Sequence, residues 1–330
     1  MKVAVDAMGG DHAPFEVVKG AISVAQEDSL TDFLLVGIEH EIQSILNASG
    51  NVPPNIHIVD APETIGMGDH PAQAIRRKRK SSLVVAGDLV LRGEADATFS
   101  AGNTGAAMAV AMLDIGRIPG VDRPAIAATL PTRAGGVLLV DAGANVDCTP
   151  QNLLQFALLG SIYAERVLHL ASPSVGLLNI GGEPGKGNEL TKATFELLSK
   201  SGLNFHGNVE GKGVFEHEVD VVVCDGFAGN ILLKSGEGVA ELILHILAQE
   251  LVFEQGNRDL VLATLHKALA RIDYADTGGA PLLGVNGVSV IGHGRSKARA
   301  IANGIKVARD GAASGYVQAM KTALSAEVAV

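Results

Sequence analysis

Short apolar runs rich in Val, Ile and Leu recur along this chain, and each closes on Gly, Asn or Asp. The runs at 3–8, 33–37, 56–60, 97–101, 137–142, 175–180 and 219–225 read as buried strands, with an eighth at 288–292. Helical spacing follows most of them, at 14–26, 104–116, 151–168, 188–200, 230–253 and from 297 toward the C-terminus. Strands that alternate with helices are joined by crossovers, which gives a mostly parallel sheet with helices on both faces. Strands covered on both faces are apolar throughout, as VLLVDAG, GLLNIGG and DVVVCDG nearly are. The expected fold class is therefore α/β. Neither a low-complexity linker nor a fixed-period repeat divides the chain, so 1–330 reads as a single domain. One region departs from the pattern. Segments 238–253 and 258–271 are helical, with EQGN and no strand between them, and predict a helical hairpin over 238–271 that projects from the α/β body.

Composition narrows the function classes. The balance of 26 basic against 36 acidic residues, net −10, disfavours nucleic acid as a partner. With no tryptophan and 4% aromatics, base-stacking platforms are not expected either. No run approaches the roughly 18 to 20 apolar residues of a membrane span. The opening MKVAVDAMGG reads as a strand ending in glycines rather than a signal peptide, and two distant cysteines, Cys148 and Cys224, fit a cytoplasmic location.

The forty glycines concentrate where the strands end. In open α/β sheets those ends carry the ligand site. Here they read DAMGGDH, SAGNTGA, DAGANVD, NIGGEPGKGNE, CDGFAGN and GHGRS. Glycine lets backbone approach a ligand, Asn offers a donor and an acceptor, and helix-start N–H groups favour anions. Singly, such residues are ordinary turns and caps. Together, if they share one rim, they predict an anion site, for phosphate. In SAGNTGA, Thr104 is expected to cap the following helix, leaving the N–H groups near Gly102, Asn103 and Gly105 facing the anion. Lys186, between glycines before a helix capped by Asn188, supplies a mobile cation, and Asp225 ends the most apolar strand as a base or orienting group. GxxxxGK[ST], GxGxxG, HExxH and GxSxG are absent, as is a clustered Cys/His pattern, so neither a metal nor a cofactor is expected. Cys224 is the one candidate thiol, read more simply as a buried filler. A reaction whose nucleophile comes from the substrate fits this inventory.

Two surface features have competing readings. Arg76, Arg77, Lys78, Arg79 and Lys80 are consecutive cations in an acidic chain, either a solvated helix face or a docking patch for an acidic partner. The hairpin stripes, with Val252 and Phe253 beside the turn, suit either packing (core or dimer) or a shallow membrane contact.

The stretches VAVDAMGGDHAP, AIRRKRKSS, SAGNTGA, GRIPGVDRPA with TLPT, DAGANVD, GLLNIGGEPGKGNELTK, GNVE, DVVVCDGFAGN, TGGAPLLG and HGRS closely resemble the bacterial acyl-ACP:phosphate acyltransferase family, in order from residue 3 to about residue 300. GGEPG at 181–185 departs from that family's usual acidic and larger residues. The resemblance implies a Rossmann-like α/β/α sandwich related to phosphotransacetylases and to isocitrate and isopropylmalate dehydrogenases. It also implies an enzyme that moves a fatty acyl group from acyl-acyl carrier protein to inorganic phosphate, as a homodimer that is cytoplasmic or peripherally membrane-associated. The acyl phosphate would feed phospholipid synthesis through a membrane glycerol-3-phosphate acyltransferase. On this reading Gly102, Asn103, Thr104, Gly105 and Lys186 hold phosphate, and Asn188 or Asn230 orients the thioester carbonyl. Asp225 orients Lys186 or assists proton transfer. The run from Arg76 to Lys80 docks the acidic carrier protein, and Val252 and Phe253 touch the bilayer.

Overall fold

The computed structural model describes residues 1–250 and 278–327. Val252, Phe253 and the 258–271 arm of the expected hairpin lie outside the described residues. Eleven strands are described: β1 (Lys2–Asp6), β2 (Asp32–Gly37), β3 (Ile56–Asp60), β4 (Ala97–Ser100), β5 (Ala125–Thr132), β6 (Gly135–Val140), β7 (Val175–Leu178), β8 (Phe205–Val209), β9 (Val221–Val223), β10 (Ala280–Leu283) and β11 (Val288–Ile291). All eight expected strands are among them. The other three, β5, β8 and β10, carry weak local patterns. Pro131 sits in β5, Pro281 in the four-residue β10, and Gly207 in β8 at φ +122°.

The helices are α1 (Phe15–Glu27), α2 (Glu39–Ala48), α3 (Pro71–Arg77), α4 (Ser82–Leu91), α5 (Thr104–Val110), α6 (Pro150–Arg166), α7 (Glu189–Leu198), α8 (Gly211–Glu216), α9 (Gly226–Glu250), α10 (Ala298–Ser314) and α11 (Tyr316–Glu327). The stretch expected as one helix over 104–116 leaves α-geometry after Val110 and closes with a π-helical turn, Ala111–Ile115, before Gly116 at φ +87°. α1 and α10 pack together closely. A Cβ on Gly20 would lie 2.7 Å from Ile301 Cγ2 and 2.8 Å from the Ala298 carbonyl, so only glycine fits that crossing. Lys306–Glu27 (2.6 Å) and Arg309–Asp28 (3.3 Å) clamp its far end.

The strands form one sheet in the order β3-β2-β1-β4-β11-β10-β5-β6-β9-β7-β8. The β3-β2-β1-β4-β11 block is parallel, and so is β6-β9-β7-β8. Between them β11–β10, β10–β5 and β5–β6 pair antiparallel. Three reversals make the two parallel blocks run in opposite directions. This corrects the expectation of a single rim: the loops after β1, β4 and β11 form one set, and those after β6, β7 and β9 form another.

Candidate functional site

In the first set, the glycines pack protein against protein. Asp6, at the end of β1, is buried and accepts a 2.6 Å hydrogen bond from Ser100 Oγ. Burial pushes its pKa up, against the pull of hydrogen bonds from Ser100, Ser82 and the Met8 N–H. A Cβ on Gly9 would meet Asp6 Oδ2 at 2.5 Å and the Gly102 nitrogen at 2.8 Å. Gly102 N–H donates to Ser100 Oγ (3.1 Å).

The expected Thr104 cap is corrected here. Asn103 is the N-cap of α5, its Oδ1 accepting from Ala106 N–H at 3.0 Å, and exposed Thr104 is the first helical residue. Asn103 Nδ2 donates to the carbonyls of Met67 and Asp69, both at 3.0 Å, so its whole amide is used structurally. An Asn amide can cap and cross-link at once, which a threonine hydroxyl does less well. The amides of Thr104 and Gly105 lie in the first helical turn, where no intrahelical acceptor is available.

The second set is organised by Asp141, just past β6 and fully buried. Its Oδ1 accepts from the N–H groups of Ile126 (3.0 Å), Gly143 (3.1 Å) and Ala144 (2.9 Å). Its Oδ2 accepts from Asn145 N–H (2.7 Å) and Nδ2 (2.9 Å). Burial raises this carboxyl's pKa while those donors oppose the shift. The loop so shaped receives the start of α9: Gly226 N–H donates to the Asn145 carbonyl at 2.7 Å. A Cβ on Gly229 would collide with the Asp141 carbonyl oxygen.

Beside that junction lies a groove of about 360 Å³ lined by Val146, Asp147, Cys148, Asn188, Leu190, Asp225 and Phe227. Two of the expected residues, Asn188 and Asp225, meet there. Asn188 caps α7 through Oδ1 (Thr191 N–H, 2.9 Å), and Asp225 Oδ1 accepts from Ala228 N–H at 2.8 Å. Asn230 lies alongside, against Gly143, whose added Cβ would sit 3.4 Å from it. Lys186 belongs to the same set, since its carbonyl accepts from Asn179 Nδ2 (3.1 Å) at the end of β7. Its side chain is exposed and passes over Gly181, and it has no ion pair among the described residues. No hydrogen bond or ion pair among the described residues joins the 102–105 loop to Lys186, Asn188 or Asp225.

α9 links the two sets. It starts at the Asp141 loop, and two turns on, about 12 Å along its axis, the charges of Lys234 and Glu237 act on His293 in the loop after β11. Burial first, and then Lys234, lowers the His293 pKa.

The thiols are poor nucleophiles. Burial, then the Asp141 charge, raises Cys148 to about 11, and full burial likewise raises Cys224 well above the usual thiol value. Among the described residues no three His, Cys, Asp or Glu side chains are grouped to hold a metal, and no helix is long and apolar enough to cross a membrane.

The basic run, expected to be a solvated face or a docking patch, divides into paired and unpaired cations. Lys78 Nζ bridges Asp69 (2.5 Å) and the Thr64 carbonyl (2.9 Å), and Arg79 binds Asp114 at 3.0 Å. Arg76, Arg77 and Lys80 remain exposed without ion pairs among the described residues. Phe227, Leu190, Val146 and Cys148 escaped the sequence reading as site residues. All four could have been found: Val146 and Phe227 stand inside strand-end motifs that were singled out, and Cys148 and Leu190 directly follow such motifs.

The profile of the family described as "Fatty acid synthesis protein" matches residues 1–319. A phosphate acyltransferase from Desulforamulus reducens is 54% identical over 98% of this chain and 97% of its own. One from Desulfitobacterium hafniense (strain DSM 10664 / DCB-2) is 51% identical over 98% of each chain. A phosphotransacetylase structure from Streptococcus pyogenes superposes with a TM-score of 0.63 at 17% identity, over 95% of this chain and 94% of that one, a likeness of fold. The matches run almost end to end through the loops just described, and the chain belongs to the phosphate acyltransferase family, as an acyltransferase of Rossmann-like α/β fold.

Proposed function

We propose that this enzyme transfers a fatty acyl group from acyl-acyl carrier protein to inorganic phosphate. A phosphate oxygen attacks the thioester carbonyl carbon, the C–S bond breaks, and the products are an acyl phosphate and the free carrier thiol. The observation that carries the reading is the groove itself. It brings Asn188 and Asp225 together, with exposed Lys186 two residues before Asn188 in the chain, and its one thiol is held protonated at neutral pH. A groove whose thiol is held protonated suits a substrate that brings the nucleophile, and phosphate is already anionic near neutrality. What the protein must then supply is position and fixed charge.

In this reading Lys186 holds the phosphate. Asn188, whose Oδ1 is engaged in the cap, uses Nδ2 to steady the thioester carbonyl, with Asn230 as the alternative donor. Asp225 Oδ2 orients the lysine or takes part in proton transfer. The turn at Gly102, Asn103, Thr104 and Gly105 is the second candidate for the phosphate, contributing the amides of Thr104 and Gly105. Arg76, Arg77 and Lys80 receive the acidic carrier protein. Exposed Leu242, Ile243 and Ile246 on α9 support a dimer or bilayer contact, from which the product passes to a membrane glycerol-3-phosphate acyltransferase for phosphatidic acid synthesis.

Purified protein with palmitoyl-ACP is expected to release free thiol only when phosphate is added, and Lys186→Ala is expected to lower kcat/KM by about 10²-fold, the cost of a lost electrostatic contact. Thiol release independent of phosphate would overturn the reaction.

A further inference from the structure

Phe227 and Val146 are each 60% exposed. Both line the groove that holds Asn188 and Asp225, and Leu190 joins them. Ile231, one turn beyond Phe227 on α9, is 49% exposed and carries the same apolar face outward. Packing does not require Val146, Phe227 or Ile231 to be apolar, whereas half-buried Leu190 also packs against the main core. α9 sits on the protein through Ala228, Leu232 and Leu233, which pack against the cluster containing Val137, Leu139 and Val222. Exposed apolar side chains scattered singly are unremarkable, but Val146 and Phe227 gathered at one polar groove with half-buried Leu190 mark a ligand with an apolar part.

We propose that Val146, Leu190, Phe227 and Ile231 form the subsite for the acyl chain of the thioester, so that the first methylenes lie against this wall while the carbonyl faces Asn188 and Asp225. The inference rests on the acyl-transfer reading above and adds a determinant of chain-length selection. Two features of the groove favour an acyl chain as occupant. The same groove is lined by apolar Val146, Leu190 and Phe227 and by polar Asp147, Asn188 and Asp225, which matches a ligand with one polar end and one apolar arm. At about 360 Å³ the groove is at the lower end of small-molecule sites. It therefore takes the thioester and the nearest methylenes, and Ile231 marks where a longer chain leaves it.

Each methylene laid against this wall strengthens binding about fourfold, from the usual free energy of burying a CH₂ group. The test measures phosphate-dependent thiol release from butyryl-, octanoyl- and palmitoyl-ACP. In the wild type kcat/KM is expected to rise steeply from butyryl to octanoyl and less beyond. Phe227→Ala is expected to reduce the octanoyl-over-butyryl ratio about fifteenfold, the equivalent of two lost methylene contacts, while Phe227→Leu restores part of it. An equal loss at every chain length overturns the subsite. So does a change of oligomeric state in Phe227→Ala that accounts for the loss, since the wall would then be covered by a second copy.

Direct binding separates this inference from the reaction. A fluorescent polyene fatty acid, titrated without phosphate, is expected to bind about tenfold more weakly to Phe227→Ala and to Val146→Ser than to the wild type. Weaker binding together with phosphate-independent thiol release would keep the acyl wall and refute the phosphate chemistry. Binding unchanged in both variants overturns the wall whatever the reaction proves to be.

Discussion

Gly229 and Gly238 lie on the same helix and are expected to respond oppositely to alanine. At Gly229 the new methyl would run into the Asp141 carbonyl oxygen. That oxygen cannot withdraw easily. Asp141 is fully buried, its N–H donates to the Cys224 carbonyl at 3.1 Å, and five donors hold its carboxylate. The strain therefore falls on α9, which must move away from the Asp141 loop. Overpacking of this kind costs about 1–3 kcal/mol, and the same movement displaces Asp225, Phe227 and Asn230. A misplacement on the order of 1 Å lowers turnover about 10²-fold. At Gly238 an added Cβ meets nothing within 4 Å, so alanine gains about 0.5–1 kcal/mol of helix stability. The assay is calorimetric Tm with kcat/KM for thiol release, at a scale of about 2 °C per kcal/mol. Gly229→Ala should lower both by those amounts, and Gly238→Ala should raise Tm by a degree or two with little change in rate. A Gly229→Ala protein with wild-type Tm and turnover would refute the close approach of α9 to the end of β6.

Replacing Arg76, Arg77 and Lys80 together with alanine is expected to raise KM for acyl-ACP severalfold at low salt and less at high salt. Lys78→Ala should instead cost up to about 1 kcal/mol of stability, as an exposed ion pair does; a KM indifferent to the triple change refutes docking at this patch. Asp6 has a folded pKa above its unfolded value of about 3.9. Its contribution to stability is thus full below that value and lost as pH rises through the folded pKa. The Tm of Asp6→Asn relative to wild type should therefore climb as pH rises above about 4. A flat or falling difference would show that burial does not dominate this carboxyl.

Local pattern carried much of the architecture. The strands β2, β6 and β9 are apolar over most of their length because both their faces are covered, and that condition shows in the residues themselves. The loops that hold Asn188, Asp225 and Lys186 could be found for the same reason. They follow such strands, and caps and turns have their own residue preferences.

Other features depended on partners distant in the chain. β5 and β10 are proline-bearing strands whose antiparallel pairing reverses the second parallel block, and neither announces that pairing locally. The reversal assigned the 102–105 turn and Lys186 to different loop sets, although both follow strands in the way an anion site requires. Whether a cation is free was likewise settled in space. Lys78 finds Asp69, Arg79 finds Asp114 thirty-five positions away, and Arg76, Arg77 and Lys80 find no such carboxylate among the described residues. The sequence by itself determined which segments are buried and where polar turns interrupt them, because burial and turn formation act over a few residues. Only the tertiary structure decided which turns share a groove, because strand direction and side-chain pairing join groups that no local pattern connects.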